Sequence, residues 1–261
     1  MITPSLPVNP KPDCWSDAEW HLRVELAAAY RIVDHFGWTE LIYGHLTAHV
    51  PGEEPHFLIN PYGLNYDEVT ASNLVKIDVD GNAVEFSEYN VNKAGFIIHS
   101  AIHMHATEEN RVVMHTHTRA GMAVAALKEG LQQVSMNATS FYGDIAYHDY
   151  EGPSLYLDER DRLVESLDGK RAMILKNHGL MTVGKTVAAA FQRLYRLERA
   201  CQVQIDAGAA GTLNVISDNV AAKSGADTNA FAESEDGFGY GELEYTALLR
   251  KMDRLDASYA V

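Results

Sequence analysis

Short β-type runs lie between amphipathic helical stretches along this chain, and this succession constrains the fold more than any other feature. Ser16 followed three residues later by Glu19 is a capping-box pattern. It precedes a helix predicted over 20–36, which Gly37 ends. Turn residues separate the β-type runs that follow, which lie at 41–50, 56–60 and 74–79. The mixture predicts an α/β domain.

The rest of the chain continues in the same way. Further helices are predicted at 94–107, 120–127, 159–167, 186–207 and 243–255, and further strands at 111–116, 143–150 and 172–175. The first 15 residues are rich in proline and are expected to form an extended arm, 1–15. Gly, Ser, Ala, Asn and Asp dominate 208–241, which predicts a flexible connection. We therefore expect one domain over 16–207, with 208–261 as part of the same unit.

The acidic character of the chain narrows its partners. It has 36 acidic and 21 basic residues, for a formal net charge of −15. Such a surface repels nucleic-acid phosphates and anionic lipid, so neither nucleic acid nor membrane is expected as a partner. A small-molecule substrate stays open, because a metal can reverse the local charge in a pocket. No signal-peptide pattern or long apolar run occurs, so a cytoplasmic location is expected.

Two histidines stand at the end of a predicted strand. Alternate side chains of a strand share one face, so His115 and His117 point the same way. Two imidazoles side by side can chelate one ion, and imidazole suits Zn, Mn, Fe or Co. The pair alone is also compatible with two ordinary hydrogen-bonded histidines.

A third histidine follows another predicted strand. His178 lies where the apolar run 172–175 passes into a polar turn. A catalytic metal site usually has three protein ligands and a fourth position for water or substrate, and three histidines would supply those ligands. Other histidines compete, since His99 and His103 share one face of the predicted helix at 94–107. We assign His99 to the surroundings of the metal ligands rather than to the ligand set.

Several ordered motifs together resemble the class II aldolase/adducin family. The resemblance extends over most of the chain, from about Trp20 to Ala207. The motifs are Ile-Asn-Pro-Tyr-Gly at 59–63, Tyr-Asp-Glu at 66–68, Asn-Lys-Ala-Gly-Phe-Ile-Ile-His-Ser-Ala-Ile-His at 92–103, His-Thr-His-Thr at 115–118, Ala-Tyr-His-Asp-Tyr at 146–150 and Asn-His-Gly-Leu at 177–180. Each motif alone is weak, but their order is highly specific.

The resemblance implies a fold, a cofactor and a reaction. The family fold is a three-layer αβα arrangement with a central, mainly antiparallel sheet, and its enzymes are typically homotetramers with the site near a subunit interface. One divalent metal per chain is implied on His115, His117 and His178, with zinc first and manganese or cobalt as alternatives. The implied reaction is retro-aldol cleavage through a metal-stabilised enolate. The matching motifs place Asn60, Gly63, Lys93 and Gly95 in the substrate-binding part; all seven residues are expected site residues.

Three departures from the sugar-phosphate aldolases separate this chain from that branch. Gly95 stands where those enzymes carry a proton-transferring glutamate, and Lys93 and Ala94 replace serines that help to bind phosphate. His45 stands in place of a phosphate-contacting asparagine. The chain is therefore closer to the adducin-like bacterial branch, and a small, non-phosphorylated hydroxy-carbonyl substrate is expected.

The missing glutamate leaves the acid or base open. Tyr142 and His99 are the candidate catalytic side chains, and a metal-bound water is a third candidate. Decarboxylation, dehydration and epimerisation could use the same metal site. A non-catalytic interaction module like the adducin head is the alternative from another functional class, and an inactive scaffold that keeps its metal is a further one.

Overall fold

The structure is a computed structural model that describes residues 12–52, 55–105, 107–152, 158–233 and 237–261. Within these residues the strands are β1 (His45–His49), β2 (Phe57–Ile59), β3 (Val75–Ile77), β4 (Val112–Thr116), β5 (Ile145–His148), β6 (Ala172–Leu175) and β7 (Gly179–Gly184). The helices are α1 (Asp17–His35), α2 (Lys93–Met104), α3 (Arg119–Ala125), α4 (Met136–Thr139), α5 (Glu159–Leu167), α6 (Val187–Ala210), α7 (Asp218–Glu233) and α8 (Glu242–Leu255). Short 3-10 helices occupy Tyr66–Glu68, Glu108–Asn110 and Ala257–Ala260.

The strands form one sheet in the order β3-β2-β1-β4-β7-β6-β5. Neighbouring strands are antiparallel except for β5 and β6, which run parallel. The expectation of a mainly antiparallel sheet is confirmed. The parallel pair is joined by α5, the kind of crossover connection that parallel strands require.

Helices cover both faces of the sheet and complete three layers. On one face, Ile98 and Ile102 of α2 and Leu163 of α5 pack with sheet residues such as Val113 and Met181. On the other face, the core joins α1, α6 and α8 to alternate residues of the same strands, for example Val112 and Met114 of β4. The alternation of Val112, Val113 and Met114 between two cores shows that β4 is central and buried on both sides.

The first helix begins where the capping-box pattern predicted. The Ser16 hydroxyl accepts a hydrogen bond from the Glu19 backbone N–H at 3.1 Å, which satisfies one free donor of the first turn of α1. The helix ends at His35, and Gly37 follows with a φ of +67°. Inside, Tyr30 is fully buried and its hydroxyl lies 2.6 Å from the Leu46 carbonyl of β1.

Several boundaries differ from the predictions. The predicted strand 41–50 shortens to β1, because Leu41 and Gly44 adopt positive φ values and turn the chain first. The segment 208–241, expected to be a flexible connection, contains the helix α7. Strand β7 was not among the predicted strands. Most of the predicted extended arm, 1–11, lies outside the described residues.

The last helix packs against the first. Leu249 and Met252 of α8 are buried in the core that contains α1. The Tyr245 hydroxyl donates a hydrogen bond to the Glu25 carbonyl of α1 at 2.6 Å. In the part of the chain that the structure describes, no helix combines the length and the apolar character needed to cross a membrane.

Candidate metal centre

Three histidines converge at one end of the sheet. His115 lies on β4, His117 lies one residue beyond its end, and His178 lies in the turn between β6 and β7. Strands β4 and β7 are antiparallel neighbours, with Thr116 opposite Leu180, so the end of β4 meets the turn that carries His178. The Nε2 atom of His117 lies 2.8 Å from Nε2 of His115 and 2.9 Å from Nε2 of His178.

The outer nitrogens of two of these rings are held by protein partners. Nδ1 of His115 donates a hydrogen bond to the Leu180 carbonyl at 2.9 Å. Nδ1 of His117 lies 2.8 Å from a carboxylate oxygen of Glu40 and donates to it. These bonds fix the tautomer in which the neutral ring carries no proton on Nε2, as in the carboxylate–histidine pairs around protein-bound metals.

This arrangement fits a cation between the rings. Two unprotonated nitrogens that face one another at 2.8 Å repel, unless a cation or a shared proton lies between them. A tetrahedral ion with Zn–N bonds of about 2.0–2.1 Å would hold two nitrogens about 3.3 Å apart, so a shift of about half an ångström accommodates it. Among the described residues, His115, His117 and His178 are the group of three such side chains that could hold a metal ion.

Burial disfavours the shared-proton alternative. Burial lowers the pKa of His115 well below its ordinary value and lowers the pKa of His178 to about 4, with the neighbouring histidines adding to each shift. Burial also lowers the pKa of His117, although Glu40 opposes the change. Neutral imidazoles at neutral pH are the form that binds a metal.

The turn around His178 depends on its two neighbours. Asn177 has a φ of +57°, a left-handed conformation that asparagine tolerates better than most residues. At Gly179, an added Cβ would lie 2.5 Å from the Thr116 carbonyl oxygen, 3.1 Å from Cδ2 of His117 and 3.2 Å from Cε1 of His115. The absence of a side chain at Gly179 therefore lets β7 approach β4 closely enough for the three rings to meet.

A buried carboxyl group supports the chain just after His117. The Thr118 hydroxyl caps α3 by accepting from the Gly121 N–H at 3.2 Å and donates to Glu198 of α6 at 2.5 Å. Gln202 donates to the other Glu198 oxygen at 2.8 Å. Burial raises the pKa of Glu198. The long helix α6 thus fixes the position at which β4 ends.

A second set of histidines lies beside the first. In the sheet register His45 is opposite His115, so its side chain shares the face that α2 covers. The Thr47 hydroxyl lies 2.7 Å from both His99 Nδ1 and His103 Nε2. The His99 ring centroid lies 6.4 Å from that of His115. The expectation that His99 surrounds the ligand set is consistent with this position.

The expected substrate-binding residues differ in burial and in what they contact. Asn60, at the end of β2, is buried and its Oδ1 lies 3.0 Å from the Tyr30 hydroxyl, which gives it a structural contact. Gly63 lies in the turn beyond, with a φ of +107° and open space around it. Lys93 is the first residue of α2, and its side chain lies outside the described residues. Gly95 packs directly on the His45 ring.

Tyr142 is not brought to the histidines of its own chain. It precedes β5, which runs parallel to β6, and His178 follows the far end of β6. Tyr142 is 38% exposed and lies near Gly225 of α7, at the opposite end of the sheet. Its catalytic role stays a prediction, and within one chain it has no structural support.

Glu40 is the site residue that sequence reasoning missed. It lies in the irregular segment between α1 and β1, where no periodic pattern applies. Its contact with His117 joins residues far apart in the sequence. The only available signal was a carboxylate in a turn close to a strand end, which is too common to be specific.

Comparisons with known proteins identify the family and the fold. The family model described as Class II Aldolase and Adducin N-terminal domain matches residues 24–205. An aldolase II superfamily protein from Pseudomonas syringae superimposes with a TM-score of 0.87 at 46% identity, covering 95% of this chain and 98% of that one. An L-fuculose 1-phosphate aldolase from Glaciozyma antarctica PI12 gives 0.80 at 31% identity, covering 95% and 96%.

One relative comes from the other branch of the family. Alpha-adducin from Mus musculus is 42% identical over 247 residues, which cover 90% of this chain and 33% of that protein. The family match over most of the chain, the shared fold and the ordered motifs lead to one conclusion. The chain belongs to the class II aldolase and adducin family.

Proposed function

We propose that the chain is a divalent-metal-dependent lyase of the aldolase type that acts on a small, non-phosphorylated hydroxy-carbonyl compound. The observation that carries the proposal is the convergence of three imidazole Nε2 atoms, two of them on rings whose Nδ1 is held by Leu180 or Glu40. Rings oriented in this way are a preorganised ligand set, and three ligands leave the fourth position of a tetrahedral ion for a substrate oxygen. The family membership supports the same reaction class.

The metal would be held by His115, His117 and His178, with zinc as the first choice and manganese or cobalt as alternatives. When bound, such an ion supplies a Lewis acid that stabilises negative charge on a substrate oxygen. The chain supplies the orientation: Glu40 and the Leu180 carbonyl hold two rings, and Gly179 lets the strands approach. Burial of His115 excludes water from the inner side of the site.

Proton transfer needs a group other than residue 95, since glycine has no side chain to carry a proton. His99 is buried next to His115, and its Nδ1 is bonded to Thr47, which fixes the ring. We therefore favour His99 over Tyr142. Because Tyr142 lies at the opposite end of the sheet, it could act only on the site of another subunit, which fits the proposed homotetramer.

The absence of a phosphate group from the substrate is the finer part of the proposal. The Glaciozyma neighbour is named for a sugar phosphate, which supports aldolase chemistry and makes phosphorylated sugars the natural comparison. This chain has Gly95, Ala94 and Lys93 where the sugar-phosphate aldolases have the glutamate and the serines. We also propose that the enzyme is cytoplasmic and assembles as a homotetramer.

The test combines metal analysis with a substrate screen. We expect about one transition metal per chain in the wild type and its loss in His117→Ala. The control is His21→Ala, which removes an exposed histidine paired with Glu25 on α1. With metal present, hydroxy-ketones should be cleaved and their phosphorylated counterparts should not. Turnover of the phosphorylated sugars alone would refute the substrate class, and a metal-free wild type after incubation with zinc and manganese would refute the whole proposal.

A non-catalytic interaction module is the second candidate. The 42% identity to alpha-adducin over 90% of this chain favours it. The distinguishing result is a chain that binds metal but turns over none of the hydroxy-ketones, keto acids or sugar phosphates in the screen. Such a result would assign the histidines to stability rather than catalysis.

A further inference from the structure

Three buried ring nitrogens beside the candidate metal ligands have no hydrogen-bond partner. They are Nδ1 and Nε2 of His45 and Nε2 of His99. Both residues are nearly inaccessible to solvent, at 5% and 2% exposure. Buried polar atoms are almost always paired in native proteins, so a cluster of unpaired ones marks a place where a ligand or an ordered water completes the bonding.

The two rings lie together and next to the ligand set. Their centroids are 5.8 Å apart with an interplanar angle of 80°, and the His99 centroid is 6.4 Å from that of His115. His45 is also the register partner of His115 across the sheet. A substituent that a metal-bound substrate directs toward this side of His115 would therefore meet these nitrogens.

Gly95 and His45 are matched to each other. A Cβ on residue 95 would lie 2.3 Å from Cε1, 2.4 Å from Nδ1 and 2.5 Å from Nε2 of the His45 ring, so any larger residue would displace the ring. The imidazole of His45 thus occupies space that a side chain at position 95 would otherwise take. The missing side chain at position 95 and the imidazole at position 45 therefore depend on each other.

We propose that His45 and His99 form a subsite that hydrogen-bonds a hydroxyl oxygen of the substrate, next to the group held by the three histidine ligands. The inference rests on the proposed function and narrows its substrate to compounds with a hydroxyl adjacent to the chelating carbonyl. His45 is the specificity-determining residue, and Gly95 is the positioning residue that admits its ring.

The chemistry of the rings selects a hydroxyl over a phosphate. Neutral imidazoles each offer one donor and one acceptor, whereas a phosphate dianion needs donors and positive charge. The Thr47 hydroxyl has a single proton and contacts both His99 and His103, so either ring nitrogen of His99 can carry the proton. A hydroxyl both donates and accepts and can pair with either arrangement. Since the three nitrogens are covered here, the His45 ring or the first turn of α2 must shift when the hydroxyl binds.

Two hydroxamates that differ by one hydroxyl provide the test. Acetohydroxamate and glycolohydroxamate chelate zinc through the same atoms, and only the second carries an adjacent hydroxyl. We expect glycolohydroxamate to bind the zinc-loaded wild type about tenfold more tightly, the value of about one hydrogen bond. Calorimetry on His45→Phe, which fills the same space without nitrogens, should give nearly equal affinities for the two compounds.

Further variants keep the result interpretable. His49→Phe changes a histidine on the same face of β1 but further from the ligands, and it should retain the wild-type ratio. His45→Gln should restore part of the ratio, and Gly95→Ala should abolish it by displacing the ring. These two also serve if His45→Phe does not fold, as judged by thermal unfolding.

The outcomes separate this inference from the proposed function. Zinc and both hydroxamates bound, with the ratio unchanged in His45→Phe, would overturn the subsite and leave the metal centre intact. A wild-type ratio near one would also overturn it. Failure of the wild type to bind zinc would overturn both proposals.

Discussion

Two groups of histidines share one end of the sheet and differ in how their rings are satisfied. In the first group, Nδ1 of His115 and of His117 is bonded to a protein oxygen, and Nε2 faces the common centre. In the second group, His45 has no hydrogen-bond partner, and His99 and His103 both contact the Thr47 hydroxyl. His117 and His178 of the first group are only partly buried, whereas His45 and His99 of the second are nearly inaccessible to solvent. Two rings of the first group are bonded on their outer nitrogens and the group fits a cation, whereas the second group has ring nitrogens that lack a partner.

A change that prevents the close approach of β7 to β4 should have the largest effect on the first group. Gly179→Ala places a methyl group 2.5 Å from the Thr116 carbonyl oxygen, so the strands must separate and the rings move apart. We expect zinc affinity to fall by more than the ten- to hundredfold typical of losing an outer partner of a ligand. The free energy of unfolding should fall by about 1–3 kcal/mol. Competition with a chromophoric chelator and urea unfolding measure the two effects.

A matched glycine provides the control for that change. Gly211, at the end of α6, has no atom within 4 Å of an added Cβ, so Gly211→Ala should leave zinc affinity unchanged. Equal zinc affinity in Gly179→Ala and the wild type would show that the glycine does not determine how the rings converge.

Loss of the Glu40 carboxylate should weaken the first group without breaking it. Glu40→Gln keeps the size of the side chain but removes the charge that orients His117 and strengthens it as a ligand. Zinc affinity should fall about ten- to hundredfold. Glu25→Gln, which alters the exposed contact with His21, should leave it unchanged. Wild-type zinc affinity in Glu40→Gln would show that the contact between Glu40 and His117 does not contribute to metal binding.

The second group should be visible in the pH dependence of stability. Burial lowers the pKa of His45 and of His103 to about 3, from the ordinary value of 6.5. Each neutral ring therefore stabilises the folded state fully above pH 6.5, and this contribution is lost as the pH falls toward the folded-state pKa, because only the unfolded chain gains the proton. In chelator-treated protein each such histidine contributes a slope of up to about 1.4 kcal/mol per pH unit.

Removing one of these histidines isolates its contribution. The His103 ring stacks on Phe57 with centroids 4.5 Å apart, so His103→Phe preserves the packing. Urea unfolding of both proteins between about pH 7.5 and about pH 5 should give a shallower slope for the variant. Identical slopes would mean that His103 is protonated as easily in the folded chain as in the unfolded one.

The sequence predicted the first group much better than the second. The two-residue spacing of His115 and His117 fixes their common face on any strand, and the position of His178 at a strand end follows from the pattern around it. The structure places the His99 ring centroid 6.4 Å from that of His115, and the role of His99 stays a prediction. Glu40 could not be placed, because its contact depends on how the segment after α1 folds back over the sheet.

The fold shows the same division between local and long-range information. The α/β class and most helices followed from periodicity, and the mainly antiparallel sheet followed from the resemblance to the family. Helix α7 was missed because it has only two large apolar residues, Val220 and Phe231, and so no apolar periodicity. Its contact with α4 depends on the close approach of Gly225 to the Thr139 carbonyl. The contact between Gly95 of α2 and the His45 ring of β1 depends on the missing side chain at position 95. A pattern in a single sequence does not reveal such a contact between two elements.

The position of His178 in a turn has a consequence for the evolution of this fold. Asn177 and Gly179 set the backbone there, and the His178 side chain is only partly buried, so it adds little to the core. A single base change in the codon of His178 could remove the third ligand while the sheet and its helices persist. Heritable loss of metal binding is therefore a short step in such a lineage. In newly sequenced chains, the Asn-His-Gly triplet should report on metal binding better than overall identity does.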